Sequence, residues 1–204
     1  KVSSGSELYP KLLGSYEAEL SNVISYVIQQ KYATVLDIGC AEGYYAVGIG
    51  MKIPTAQIIA YDTDIKALEL CQQMADLNKV KVQTKGFCTE ATIRSLNLTD
   101  KSLIISDCEG FENKVFTESL CKDLKNHDLL IECHDFIDIN TTPRLIKRLS
   151  GTHTIEIIKS IDDIDKAYNY SYAELDEYTL DERKKILAER RPSIMRWIFA
   201  KANN

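Results

Sequence analysis

Val35-Leu36-Asp37-Ile38-Gly39-Cys40-Ala41-Glu42-Gly43 is followed, one helical stretch later, by Ile58-Ile59-Ala60-Tyr61-Asp62. Val35, Leu36 and Ile38 make the short apolar run of a strand buried in a parallel sheet. Gly39 and Gly43 let the backbone turn tightly and approach a ligand with no Cβ in the way. The second run ends in Asp62, an acid placed to take both hydroxyls of a ribose. The two segments together predict a nucleoside pocket at the carboxyl edge of a doubly wound sheet.

Spacing narrows the choice of nucleoside. A dinucleotide fold wants G-x-G-x-x-G opening a helix, so that pyrophosphate sits on the helix N-terminus. Here Cys40 stands third after Asp37, and the glycines lie four apart rather than two. Asp37 and Glu42 also crowd the turn with negative charge, a poor setting for a diphosphate. The same acids suit a cationic ligand carrying an amino group and a sulfonium. The segment resembles motif I of the class I S-adenosylmethionine-dependent methyltransferases, with Asp62 at that family's ribose-binding acid. That resemblance implies a Rossmann-like, doubly wound α/β fold with a mainly parallel seven-stranded sheet and an antiparallel C-terminal hairpin. It also implies S-adenosyl-L-methionine as cofactor, held by Asp37, Gly39, Ala41, Gly43, Asp62, Phe87, Cys88 and Asp107.

The 204 residues suffice for one domain with a full three-layer core. Apolar content of 45% and charged content of 27% are those of an ordinary globular chain. A net charge of −5 speaks against a nucleic-acid partner, which normally needs a basic face. Basic runs at Arg144–Arg148 and Arg183–Arg191 are mixed with Glu or apolar residues and read as solvated helix faces. Six cysteines (Cys40, Cys71, Cys88, Cys108, Cys121, Cys133) contain no C-x-x-C pair, so no zinc or redox motif is present. No signal peptide or apolar stretch of membrane length is visible, and the expectation is a cytoplasmic protein with reduced thiols and no membrane partner. The chain starts at Lys1 rather than Met. A trimmed chain, a homodimer, or a piece of a larger parent protein all stay open.

Tyr16, Leu20, Val23, Ile24, Val27 and Ile28 fall at helical spacing and predict a covering helix over 15–30, with Ser15 as N-cap and Glu17 in its first turn. Alternation comes next: strand 33–38, helix 43–52, strand 57–62, helix 64–78, strand 80–84, helix 89–96. Strand 102–107, helix 112–125, strand 128–133 and helix 142–149 continue it. Such alternation implies right-handed crossovers and a parallel sheet. His153–Lys159 and Ile194–Lys201 predict two late strands, with a charged helix near 180–190 between them. The acidic stretch Asp162–Glu177, bearing Tyr168, Tyr170 and Tyr172, is long for a turn and reads either as a lid or as a polar excursion whose tyrosines pack down. The expected organisation is one domain, 1–204: helical cover 1–30, cofactor-binding core 31–150, terminal strands with the acidic insertion 151–204.

Ligands of open α/β sheets bind outside the carboxyl ends of the strands. Gly39, Asp62 and the turn after Thr84 occupy three such ends. The next two carry Asp107-Cys108-Glu109-Gly110 and Glu132-Cys133-His134-Asp135, which should face the methyl group. Methyl transfer from a sulfonium needs alignment and, for a hydroxyl acceptor, removal of a proton. His134 is the expected base, its ordinary pKa lying near neutrality, with Asp107 or Asp135 orienting it or binding the acceptor. His127 and His153 sit at the wrong ends of their strands. A divalent metal on Asp107, Glu109, Asp135 and Glu132 is the lesser reading, since alternate residues of an extended segment point opposite ways.

Asp107-Cys108-Glu109-Gly110-Phe111-Glu112 resembles the Asp-x-Glu-Gly-x-Glu segment of FkbM-type methyltransferases, and Ile131-Glu132-Cys133-His134-Asp135 is broadly similar to the next strand end of that group. That likeness implies O-methylation of a small-molecule natural product or sugar. The chain lacks the Asn/Asp-Pro-Pro-Tyr/Phe tetrapeptide of base-amine methylation and the Pro-Cys nucleophile of pyrimidine C5 methylation. A non-catalytic S-adenosylmethionine-binding module, or a protein or carrier-bound acceptor, are the alternatives.

Overall fold

Strands form at the apolar runs: β1 (Thr34–Ile38), β2 (Gln57–Tyr61), β3 (Val82–Lys85), β4 (Ser102–Ser106), β5 (Asp128–Cys133), β6 (His153–Lys159) and β7 (Arg196–Ala202). The computed structural model describes residues 6–203 and joins these strands in one seven-stranded sheet of order β3-β2-β1-β4-β5-β7-β6. β1 pairs in parallel with β2 on one side and β4 on the other, so the winding reverses direction beside β1. β7 runs antiparallel to both β5 and β6. The expected mainly parallel sheet with an antiparallel C-terminal hairpin is therefore the observed one.

Both faces of the central strands are buried, which is why their sequences run continuously apolar. Val35 packs on one face with Val23 and Val27 of α2 (Ser21–Gln29), Ala46 and Ile49 of α3 (Tyr44–Lys52) and Ala75 of α4 (Ile65–Leu77). Its neighbour Leu36 packs on the other face with Ile93 of α5 (Glu90–Ser95), Leu120 of α7 (Glu118–Asp123) and Leu145 of α8 (Thr141–Leu149). Each fully buried valine, leucine or isoleucine among them stabilises the fold by about 1.5–3 kcal/mol. No helix among the described residues is long and apolar enough to cross a membrane.

Three elements differ from the sequence reading. The helix expected over 15–30 begins only at Ser21, after α1 (Leu8–Leu13) and a 3-10 turn at Ala18–Leu20. Glu17 is left-handed (φ 49) and buried, held by tertiary partners, while the Ser15 hydroxyl donates to the Pro10 carbonyl instead of capping a helix. Residues 1–5 of the expected cover lie outside the described residues.

The helix expected over 112–125 is two, α6 (Glu112–Val115) and α7. The Arg148 guanidinium takes the carbonyls of Asn113 and Phe116 at 3.1 and 2.7 Å, acceptors that a continuous helix would have used, and Thr117 caps the second helix by accepting from Leu120 N–H.

The acidic stretch after Asp162 is no open loop. Asp162 caps α9 (Asp163–Asn169), which carries fully buried Lys166 and leans on α10 (Leu180–Leu187). A salt bridge from Lys166 to buried Glu189 anchors it.

Candidate active site

A cleft of about 470 Å³ opens at the carboxyl ends of β1, β2 and β4, beside the reversal in strand order. Its floor is the turn after β1. Gly39 (φ 83) lies so close to Asp107 that a Cβ would fall inside the Asp107 carbonyl oxygen. Gly43 (φ 87) faces Cys71, whose Sγ would sit 2.7 Å from an added Cβ. Buried Asp37 ties the turn to α3 by accepting the Ala46 N–H at 2.9 Å. Burial pushes its carboxyl up to about 7, against the lowering effect of that N–H. Asp62, on the cleft wall, accepts from Ala41 N–H at 2.9 Å and Asp64 N–H at 2.8 Å. Phe87 and Cys88, Tyr61, Tyr44 and Tyr45 also line the cleft, and Lys11, Tyr16 and Glu17 close its other side.

Asp107 also lines the cleft, at the end of β4. Behind it His134 is almost completely buried. Its Nδ1 lies 2.6 Å from Glu112 Oε1, which also accepts the Gly110 N–H at 3.0 Å. Its Nε2 faces Glu109 Oε2 at 3.3 Å and Asp107 Oδ1 at 3.5 Å. Burial disfavours the imidazolium, but the carboxylates of Glu109, Glu112 and Asp107 outweigh it and push the ring up to about 10. Burial conversely pushes Asp107 up to about 7 and Glu132 to about 8. One oxygen or nitrogen each of Asp107, Glu132 and His134 lies within 4.8 Å of the others.

Residues 20–105 match the family model of the methyltransferase small domain. The O-methyltransferase TomG of Streptomyces achromogenes, solved with S-adenosylmethionine, shares the fold at a TM-score of 0.62 and 11% identity, covering 93% of this chain and 81% of that one. Precorrin-6y C5,15-methyltransferase from Geobacter metallireducens gives 0.56 at 12% identity over 89% and 86%. The Pyrococcus abyssi tRNA (uracil-54, C5)-methyltransferase gives 0.53 at 16% identity over 91% of this chain and 37% of that one. No curated protein matches the sequence. The chain has the fold of these methyltransferases, and its residues 20–105 match a methyltransferase family model.

The cleft gathers every residue expected to hold cofactor except Gly43, which shapes the turn from behind. Of the three expected catalytic residues, Asp107 and His134 come together. Asp135 does not join them. It points away, accepts from Thr142 N–H and Oγ1 at 2.9 and 2.7 Å, and pairs with Arg196, so it fixes the start of α8. His134 is also no free base, because the surrounding carboxylates hold it protonated at neutral pH. His127 and His153 are structural: the His127 ring accepts the Ser102 N–H, and His153 bonds the His127 carbonyl.

Sequence reasoning missed Arg191 and Glu17. Arg191 binds Glu17, Glu132 and Glu189 together beneath the cleft, and Tyr45 donates to Glu17. Arg191 sits in a charged run that reads as a solvated face, and Glu17 looks like the first turn of a helix. Pairing across the fold gives no local signal. Glu112, which orients His134, was visible only through the Asp-x-Glu-Gly-x-Glu likeness.

Proposed function

We propose that this chain is an S-adenosylmethionine-dependent methyltransferase that transfers the methyl group to a hydroxyl oxygen of a small acceptor, a natural product or sugar, in the manner of the FkbM-type enzymes. The carrying observation is the lock between the two segments that suggest that group. Glu112 of the first clamps His134 of the second, and both present Asp107 to the cleft. Asp62 takes the ribose hydroxyls, and the Gly39 turn lies along the methionine part. Asp37, Ala41 and Gly43 shape that turn, while Phe87 and Cys88 flank the base. The acceptor enters beside Asp107, Glu109 and Tyr16.

Transfer then needs the acceptor oxygen in line with the methyl–sulfur bond and a place for its proton. The paired carboxyls of Asp107 and Glu132, raised by burial to about 7 and about 8, supply that place better than the already protonated His134. The O-methyltransferase likeness of TomG agrees with an oxygen acceptor, while the precorrin and tRNA enzymes show how widely this fold's acceptors range.

The test is a labelled-methyl screen of small-molecule extracts, with the product identified by mass spectrometry. The expected product is a methyl ether, formed with stoichiometric S-adenosylhomocysteine. A methylamine product would overturn the oxygen assignment. Tight cofactor binding with no acceptor-dependent turnover would return the chain to a binding module.

A further inference from the structure

Among the described residues, six acids and a single base line the cleft. The acids are Glu17, Asp37, Asp62, Asp64, Asp107 and Glu109, and the base is Lys11 of α1. The Lys11 side chain is mostly buried. Its ammonium donates to Ser6 Oγ at 2.6 Å and pairs with Glu42, in the turn after β1. The ring centres of Tyr16 and Tyr44, both on the cleft wall, lie 4.6 and 5.0 Å from the same nitrogen. Ring faces attract an ammonium without consuming its N–H bonds as an oxygen does. A lysine has three such bonds, so one remains beyond Ser6 and Glu42.

We infer that Lys11 is the cation that binds the methionine carboxylate of the cofactor, an inference that rests on S-adenosylmethionine as the ligand. With the adenosine half over Asp62, Phe87 and Cys88, at the ends of β2 and β3, the methionine half crosses the Gly39 turn. It reaches the other side of the cleft, which Lys11, Tyr16 and Glu17 close. That half carries an ammonium and a carboxylate. The acidic wall suits the ammonium, whereas the carboxylate needs a positive partner among those acids. Arg191 is committed to Glu17, Glu132 and Glu189, and the His134 ring to Glu109, Glu112 and Asp107. The N-terminus of α3 offers less than a free helix end, because the Asp37 carboxylate takes the Ala46 N–H and the Gly43 carbonyl takes the Val47 N–H.

Glu42 and the two tyrosine rings fix the long Lys11 side chain before the ligand arrives, so little of its freedom is lost on binding. The carboxylate and Glu42 then share one ammonium, and α1 is tied to the β1 turn through both.

S-adenosylmethionine and its decarboxylated form differ only in the group at issue, and calorimetric titration of the full chain with each, without acceptor, needs no turnover. The decarboxylated form carries one more net positive charge, so the acidic wall alone favours it. A preference for S-adenosylmethionine therefore reports a positive partner at the carboxylate. The unmodified protein should bind S-adenosylmethionine ~10–100-fold more tightly than the decarboxylated form. Lys11→Met should erase that preference, weakening the first ligand ~10–100-fold and the second less than ~3-fold. Because Lys11→Met strips buried Glu42 of this partner, the double variant Lys11→Met/Glu42→Gln repeats the comparison with both charges of the pair removed. Equal affinity of the unmodified protein for the two ligands overturns the inference, and so does a preference that survives in the variants or a loss shared by both ligands. Each of those outcomes leaves the cofactor reading standing. Binding of neither ligand to the unmodified protein would refute that reading and this inference with it.

Discussion

Gly39 and Asp107 meet backbone to backbone: a Cβ on the glycine would occupy the space of the Asp107 carbonyl oxygen. The Asp107 N–H in turn donates to the Ile38 carbonyl at 2.8 Å, so the ends of β1 and β4 are closed against each other at the floor of the cleft. Gly39→Ala adds a Cβ both to that contact and to a left-handed residue, where a side chain alone costs about 1–2 kcal/mol. The expected total is more than about 3 kcal/mol, with cofactor binding lost. Gly86→Ala, which meets nothing within 4 Å, should change thermal unfolding little and serves as the control. Equal melting temperatures for the two variants would refute the packing argument.

Asp62 organises its own loop before any ligand arrives, through Ala41 N–H and Asp64 N–H. Hydrogen bonds to a charged acceptor contribute about 1.5–3 kcal/mol. Asp62→Ala should therefore weaken S-adenosylhomocysteine binding by ~10–100-fold. Calorimetric titration measures this directly. An affinity within twofold of the unmodified protein would move the ribose to another group.

Burial of Asp37 gives stability a definite pH dependence. Its carboxyl is raised to about 7 by desolvation, with Asp62 and Glu17 adding to the rise and the Ala46 N–H opposing it. The folded state thus keeps this proton to higher pH than the unfolded chain does. The associated stability is complete below the unfolded pKa of about 3.9 and is lost as pH rises through about 7. Ligand-free protein should melt at lower temperature at pH 8 than at pH 5. Asp37→Asn, which keeps an oxygen for the Ala46 N–H, should flatten that fall. An unchanged pH profile in the variant would exclude Asp37 as its source.

Legibility in the sequence tracked the range of the interactions. The β1 turn, Asp62 and the Asp107 segment are each local patterns of strand, glycine and acid, and they could be read residue by residue. The alternation of strands and helices likewise reports burial on both sheet faces. The features that could not be read depend on contacts across the chain. Arg148 splits the expected 112–125 helix by taking carbonyls thirty-odd residues away in sequence. Glu17 leaves the helical conformation because its carboxylate meets Arg191, 174 residues later. Asp135 belongs to the expected cluster in sequence but is bound instead to Thr142 and Arg196. His134 was correctly placed at the strand end, yet its charge state depends on three carboxylates brought there by the fold.

Arg191 offers the sharpest test of that long-range network. It is mostly buried and reaches Glu17, Glu132 and Glu189 at once. Breaking a buried ion pair by removing one partner costs about 3–5 kcal/mol, because the remaining charge stays desolvated. Arg191→Met should cost at least this near pH 8, read from urea unfolding. Arg191→Lys should lose less, keeping the charge but not the planar fork that reaches several carboxylates. The pH sign is also fixed. Burial already raises Glu17 to about 7 and Glu132 to about 8 with the guanidinium lowering both, so its loss lets them rise further. At pH 5 both acids are then neutral and the missing cation matters less. The difference in stability between Arg191→Met and the unmodified protein should shrink from pH 8 to pH 5. A difference that holds constant across that range would mean that Arg191 supports the fold by packing rather than by charge.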